Sequence, residues 1–216
     1  CGSTYDPTEL IDARCCICGN TPVMKQSNHM FVQLKNCETF LREYINSTDV
    51  LQSDIRNFVM SWIEEGLKEW CISRDGPYFG FLIPGTTDKY FYVWLDAPVG
   101  YISSTDRYCK DHGERVEDYW TTESGTQIIH FIGKDIVNFH ALFWPVMLKN
   151  SGFALPSKIF VHGFLNIEGE KMSKSRGTFI LAKDYLKKVH HPQAPEFLRF
   201  YFGSKILYEF LRLFLS

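Results

Sequence analysis

Residues 127–161 read QIIHFIGKDIVNFHALFWPVMLKNSGFALPSKIFV, and this stretch decides the fold class. Gln127 to Ile132 is apolar at both alternating sets of positions, and Lys158 to Val161 repeats the pattern in shorter form. That is the signature of strands covered on both faces. Between them Phe139, Leu142, Phe143, Val146 and Met147 fall at i, i+3, i+4, i+7 and i+8, a helix stripe that Pro145 is expected to kink. Strand, helix and strand in that order make a right-handed parallel crossover. Upstream, Lys89 to Ala97 (KYFYVWLDA) has the same two-faced character and is expected to form a third buried parallel strand. The class is α/β.

Working outward, Phe40, Leu41 and Tyr44, then Phe58, Trp62, Ile63 and Leu67, repeat at spacings of three and four, with Gly66 near the end. Two helices are expected between about 36 and 70. Residues 1–25 are rich in Cys, Gly, Pro and Thr without an apolar period, so they need a metal or a neighbour to order them. Beyond Val161 the pattern predicts a hairpin around Glu168-Gly169, a loop from Lys171 to Gly177, and helices over about 182–189 and 194–214. The 216 residues are 45% apolar, enough for one sizeable core or two modest ones. A net charge of −2 gives no field of its own for nucleic acid, so any RNA contact must come from a local patch. The most apolar stretch, Ile206 to Leu215, is short and carries Glu209 and Arg212, which argues against a membrane span. Cys37, Cys71 and Cys109 stand alone among seven cysteines, which fits a reducing compartment and a cytoplasmic protein.

Four constellations can carry chemistry. In Lys171-Met172-Ser173-Lys174-Ser175, two ammonium groups three residues apart on a small-residue loop can straddle a polyphosphate, with hydroxyl and N–H donors beside them. The same string could be a solvated basic loop. Trp94-Leu95-Asp96-Ala97-Pro98-Val99-Gly100-Tyr101 offers an indole, a small Ala-Pro platform and a phenol, a soft apolar surface suited to a thioether. Its rings could equally be ordinary core aromatics, and His140 a satisfied core histidine. Gly133-Lys134-Asp135 lies between a strand and a helix, where glycine admits a nucleotide and a carboxylate can accept ribose hydroxyls, although such a tripeptide is more often a plain turn. Cys15-Cys16-Ile17-Cys18-Gly19 is a Cys-x-x-Cys knuckle that gives zinc two thiolates or is a pair of reduced cysteines. Arg74 could bind an anion in fork geometry or form a structural ion pair with Asp75 or a neighbour. Lys183, Lys187 and Lys188 with His190 and His191 make a local basic run.

The string from Lys171 to Ser175 is the second signature of class I aminoacyl-tRNA synthetases, and Phe160 to Phe179 (FVHGFLNIEGEKMSKSRGTF) resembles the stretch around it in methionyl-tRNA synthetases. Further likeness lies in Thr4 to Cys18 (TYDPTELIDARCCIC), Ile72 to Phe81 (ISRDGPYFGF), Val93 to Tyr101 (VWLDAPVGY) and His130 to Met147 (HFIGKDIVNFHALFWPVM). The resemblance implies the second half of a Rossmann-type nucleotide-binding sheet over 89–163. An inserted zinc-knuckle domain over 1–88 would precede it, and a helical stem-contact region over 164–216 would follow. It implies ATP-dependent activation of methionine and transfer to tRNA(Met), with ATP, Mg²⁺ and Zn²⁺ as cofactors. Trp94, Ala97, Pro98, Tyr101, Ile136 and His140 would form the methionine pocket. Gly133, Asp135 and His162 would meet the adenosine, and Lys171 and Lys174, with Met172, Ser173 and Ser175, the phosphates. Cys1, Cys15 and Cys18 would be zinc ligands, with Cys1 pairing with an upstream cysteine; whether all three share one ion stays open. The basic run would face the inner bend of the tRNA or be a solvated helix face.

Two departures stand out. The His-x-Gly-His signature of the class is absent from the 216 residues, and Ser204 to Ser216 resembles the family poorly. The segment alone is therefore expected to be inactive. Rival readings are another class I synthetase for an apolar amino acid, a non-catalytic tRNA-binding or zinc-dependent module, and a half-domain that binds a small molecule without turnover.

Overall fold

The computed structural model describes residues 14–15, 18–24, 26–47, 49–164, 166–167, 170–171 and 179–206, with backbone alone at 47, 166, 167, 170, 171, 205 and 206. In chain order, β1 (Phe31–Val32) is followed by α1 (Glu38–Ser47), α2 (Ser53–Glu64), β2 (Trp70–Cys71) and β3 (Ser73–Asp75). Then come β4 (Lys89–Phe91), α3 (Val93–Asp96), α4 (Val99–His112), α5 (Glu117–Trp120) and β5 (Ile129–Gly133). A π-helical turn, Phe139–Phe143, runs into α6 (Trp144–Asn150), and β6 (Lys158–His162), β7 (Asn166–Ile167), β8 (Glu170–Lys171), α7 (Ala182–Lys188) and α8 (Ala194–Ile206) complete the order.

The crossover read from residues 127–161 is present. β5 and β6 are parallel, with His130 opposite Ile159 and Ile132 opposite Val161. Those four side chains are buried, and Ile132, Ile159 and Val161 share one core with α1, α2 and the helical segment after β5. Leu41, Ile45, Val59 and Ile63 supply the helical side of that core. The far edge of β6 is closed by a mimic of a strand. Ile159 donates its N–H to Val50 O at 2.7 Å, and the Gln52 amide donates to Val161 O (2.9 Å) while accepting from Val161 N–H (3.0 Å). One primary amide thus supplies both donor and acceptor, and spares the edge an unpaired ladder position.

The expected helix is interrupted next to Pro145. The proline sits in the first turn of α6, where its missing N–H costs nothing, and the irregular π turn lies directly before it. Both helices expected between 36 and 70 are formed, and the hairpin appears as the antiparallel pair β7–β8, with residues 168–169 outside the described set. The last two helices also form, though residues beyond 206 lie outside it.

Three readings need correction. Lys89 to Ala97 is not a parallel strand: β4 covers only Lys89–Phe91 and pairs antiparallel with β3, after which Val93–Asp96 turns helical. Its apolar residues on both faces reflect aromatic neighbours rather than sheet layers, since Tyr90 packs near Tyr78 and Tyr92 near Trp70. The strand read in Gln127 to Ile132 is not covered on both faces, because Ile129 and Phe131 are 40% and 60% exposed while His130 and Ile132 are buried. Helix α2 stops at Glu64, short of Leu67; its buried residues are Ile55, Val59 and Ile63, with Trp62 partly buried against the same core and 4.4 Å from Phe58. The helices α4 and α5 were not foreseen. Helix α4 has a weak apolar stripe and ends on Gly113 in the left-handed conformation, φ 71°.

Among the described residues no helix is long and apolar enough to cross a membrane.

Candidate functional site

The residues singled out from the sequence for methionine and the adenosine lie at the carboxyl ends of β5 and β6, in the segment 133–144, and on α3 and the amino-terminal turns of α4. Pro98 is buried at the start of α4, and its carbonyl accepts from Tyr101 N–H at 3.1 Å, which fixes the first turn. Tyr101 thereby faces the π turn, where its hydroxyl lies 3.0 Å from His140 Nε2. The other ring nitrogen of His140 lies 3.1 Å from Ile136 O. A carbonyl can only accept, so Nδ1 carries the proton and Nε2 takes the Tyr101 O–H. Burial holds the His140 imidazole below its ordinary range, outweighing the opposing Ile136 hydrogen bond, so the ring is neutral at physiological pH.

Behind this pair stands His130 on β5. Its ring is 4.9 Å from that of Tyr101 and 5.4 Å from that of His140, and Trp144 Nε1–H donates to its Nε2 at 3.2 Å. Burial, helped by His140 nearby, pushes the His130 imidazole down to about 4. The linkage sign follows. Above pH ~6.5 neither the folded nor the unfolded chain protonates this ring. As the pH falls from ~6.5 toward 4 the unfolded chain binds a proton that the folded one refuses, so stability present at neutral pH is lost. The loss attributable to this ring is on the order of 3 kcal/mol at pH 4. Urea unfolding at pH 7 and pH 4.5 should therefore show a smaller acid loss for His130→Leu than for the unaltered protein.

Aromatic rings adjoin this group. Trp94 stacks on Phe139 with centroids 4.5 Å apart and planes 9° from parallel. Phe139 lies 6.1 Å from Trp70, which itself stacks on Phe143 at 3.8 Å. Arg74 neither pairs with Asp75 nor points into the solvent as a free fork. Its guanidinium sits 3.7 Å over the Tyr92 ring and donates to Ser73 O at 2.8 Å, while Asp75 accepts from Lys89 and Ser27. Lys89 and Ser27 hold the Asp75 carboxyl below its ordinary range.

Gly133, Asp135 and His162 are also brought together. Gly133 pairs with His162 across β5 and β6, and a Cβ at Gly133 would fall 2.7 Å from Asp135 Oδ1. Only glycine lets the carboxylate fold back onto the strand end. His162 Nδ1 lies 2.9 Å from Gly163 O, so that nitrogen is the donor. Of the residues assigned from the sequence, Tyr101, Ile136 and His140 are joined by the hydrogen bonds of the His140 ring, and Trp94 adjoins them through its stack on Phe139, whereas Ala97 lines an open pocket with Phe81, Phe91 and Ser103, and Pro98 is buried.

Lys171 closes β8, and its side chain, with Met172, Ser173, Lys174 and Ser175, lies outside the described residues, as does Cys1. In the knuckle, Gly19 N–H donates to Cys15 O at 2.8 Å and Cys15 N–H to Asn20 O at 2.9 Å, with Gly19 at φ 72°. By donor type, the thiols of Cys15 and Cys18 are suited to supply half of a tetrahedral zinc set. Among the described residues no group of three or more His, Cys, Asp or Glu is placed to hold a metal ion.

Sequence reasoning missed His130, Trp144, Phe139 and Trp70 as supports of these residues. The signal for His130 was available: a lone polar residue in an apolar strand, three residues before the glycine that ends it.

Residues 1–208 match the family described as tRNA synthetases class I (M). The chain belongs to this family. Two class I relatives are the methionine–tRNA ligases of Myxococcus xanthus (strain DK1622), 50% identical over 208 residues, and of Thiobacillus denitrificans (strain ATCC 25259 / T1), 53% identical over 206. Each alignment takes in 95% of this class I chain but 29% of the relative, so the chain spans under a third of their length. Among solved structures, Mycobacterium tuberculosis methionyl-tRNA synthetase bound by methionyl-adenylate superposes with a TM-score of 0.68 at 28% identity, over 90% of this chain and 38% of that one. The free form of the same protein gives a TM-score of 0.56 over 74% of this chain and 32% of that one. The likeness supports the class I synthetase fold with its parallel sheet and helices.

Proposed function

We propose that this chain is the part of a methionine–tRNA ligase that holds methionine and the nucleotide while the two are joined. The observation that carries the reading is the Tyr101–His140 pair beside the Trp94–Phe139 stack. A surface of soft rings whose hydroxyl and imidazole already satisfy each other welcomes a thioether and gives a hydroxylated or charged side chain little to bond. Relatives of that name at 50% and 53% identity, and a neighbour that holds methionyl-adenylate, support the same assignment.

In the reaction, a carboxylate oxygen of methionine attacks the α-phosphorus of ATP. The new O–P bond forms as the bond to the pyrophosphate oxygen breaks, giving methionyl adenylate. A hydroxyl of the terminal ribose of tRNA(Met) then takes the acyl group and AMP leaves. Trp94, Ala97, Pro98, Tyr101, Ile136 and His140 seat the side chain of methionine. Gly133 admits the adenosine, Asp135 accepts from the ribose hydroxyls, and His162 lies by the adenine. Lys171 and Lys174, with Met172, Ser173 and Ser175 between and beside them, hold the β and γ phosphates and steady the departing pyrophosphate. Mg²⁺ bound with ATP supplies further neutralisation of phosphate charge. Cys15 and Cys18, with Cys1, would hold Zn²⁺, which shapes the knuckle and takes no part in the chemistry. The Lys183, Lys187 and Lys188 run on α7, with His190 and His191, faces the tRNA, and the setting is the cytoplasm.

The test is amino-acid-dependent exchange of pyrophosphate into ATP by the full gene product and by residues 1–216 alone. Methionine should drive exchange in the full product, leucine, isoleucine, valine and cysteine should not, and the segment alone should give none. Exchange with another amino acid would overturn the pocket. Silence from the full product would point to a non-catalytic binding module.

A further inference from the structure

We propose that His130 is a positioning residue for the thioether pocket: through ring contacts with both Tyr101 and His140, and anchored by Trp144, it sets the geometry of the pair that reads the amino acid. The proposal rests on the methionine reading of these residues. Helix α4 supplies Tyr101 and the π turn supplies His140, so the pair joins two separately built elements. Tyr101 is 40% exposed, and its hydroxyl is held by His140 Nε2 at 3.0 Å. A phenol on a half-open helix face needs something behind the ring to fix its tilt. His130 stands there, 4.9 Å from the Tyr101 ring and 5.4 Å from the His140 ring, itself 6% exposed. Trp144 also approaches Tyr101, but from farther off at 6.4 Å, and it is the donor that pins His130.

A purely structural role would not select histidine. An imidazole buried in a strand loses hydration that a valine or leucine at the same place would never have had, and the β5 ladder is indifferent to the choice. What histidine adds is a flat ring at a fixed rotation. The indole N–H of Trp144, a residue 1% exposed, donates to the His130 Nε2 lone pair, so the imidazole plane is restrained by a hydrogen bond as well as by packing. That plane is the backstop for the phenol. The order of dependence runs from Trp144 to His130 to the Tyr101–His140 pair and then to the substrate, and His130 touches no reacting atom.

The experiment is pyrophosphate exchange on the full gene product carrying His130→Leu, Tyr101→Phe and the double change, with methionine and ATP varied separately. His130→Leu should raise the KM for methionine about tenfold and leave the KM for ATP within about twofold, since the ring acts on one substrate pocket. In the Tyr101→Phe background the same change should add less than about twofold, because the hydroxyl it positions is already gone. Trp144→Phe, which keeps a ring and removes the N–H, should reproduce the pattern more weakly, and decides the matter should His130→Leu not fold. Equal effects in both backgrounds, parallel loss for ATP and methionine, or an unchanged KM for methionine would overturn the proposal. If Tyr101→Phe alone leaves the KM for methionine unmoved, the pocket reading fails first and takes the proposal with it. If Tyr101→Phe raises it while His130→Leu does not, the pocket stands and His130 is only core.

Discussion

Lys174→Ala in the full gene product should lower kcat for methionine-dependent exchange by about 10²- to 10³-fold, with the KM values for methionine and ATP changing only several-fold. The reason lies in where charge grows. ATP arrives already carrying its phosphate charges, and water and metal can balance them in the ground state. As the α-phosphorus is attacked, the departing pyrophosphate gains charge, and a fixed ammonium beside it is worth most at that moment. The tether of the lysine loop suits this role. Strand β6 ends at His162, paired with Gly133, and the β7–β8 hairpin that leads into the loop begins at Asn166. In the sequence, the lysine string therefore follows on the strand whose end pairs with Gly133. Lys171→Ala should act in the same direction, and the double change should cost less than the product of the two, since both serve one leaving group. Lys174→Arg keeps the charge but replaces a compact point cation with a planar fork, so only partial recovery is expected. A raised KM for ATP with kcat intact would instead make the loop a ground-state phosphate binder.

How much of this was legible depended on whether the signal was local. The crossover was legible because a strand, a helix and a strand each carry their own period, and Pro145 advertises its irregular turn within the same window. KYFYVWLDA was misread because the period of apolar residues reports burial, not pairing. Antiparallel pairing of Lys89–Phe91 with Ser73–Asp75 depends on a chain reversal between them, and the helical turn at Val93 on the hydrogen bond from Ala97 N–H to Val93 O. Tyr101 and His140 could be singled out by residue type, but their mutual hydrogen bond was not legible, since they lie 39 residues apart on elements that only the fold juxtaposes. Trp144 was invisible for a related reason, since it looks like ordinary core until His130 is placed against it, whereas His130 left a signal as a lone polar residue in an apolar strand. Gly133 lies between these cases. Its glycine was read from the sequence as room for a nucleotide or as a plain turn, and only the structure shows the Asp135 carboxylate, two residues on, occupying the space a Cβ would need.

Trp94→Ala should raise the KM for methionine by about 30- to 150-fold while changing the KM for ATP by less than about threefold, and this separates a binding aromatic from a core one. The indole stacks on Phe139 at 4.5 Å, yet it sits on α3, a four-residue helix with no buried residue. Truncating it should therefore cost the fold little, whereas a core tryptophan removed to alanine costs about 3–5 kcal/mol. For a bound thioether the balance is reversed. A sulfur against an aromatic ring gains about 0.3–1.5 kcal/mol, and covering about two methylenes of the substrate adds about 1.6 kcal/mol. The total of about 2–3 kcal/mol corresponds to the stated range in affinity. Trp94→Phe keeps a ring to stack on Phe139 and to meet the sulfur, so it should recover most of the loss. Discrimination should move in step: with the indole gone, leucine and isoleucine lose less than methionine does, because a branched hydrocarbon has no sulfur contact to forfeit. Measured together, thermal unfolding and the two KM values distinguish the readings sharply. A large fall in the melting temperature with an unchanged KM for methionine would make Trp94 a packing residue. A stable variant with a methionine-selective defect places the indole against the substrate.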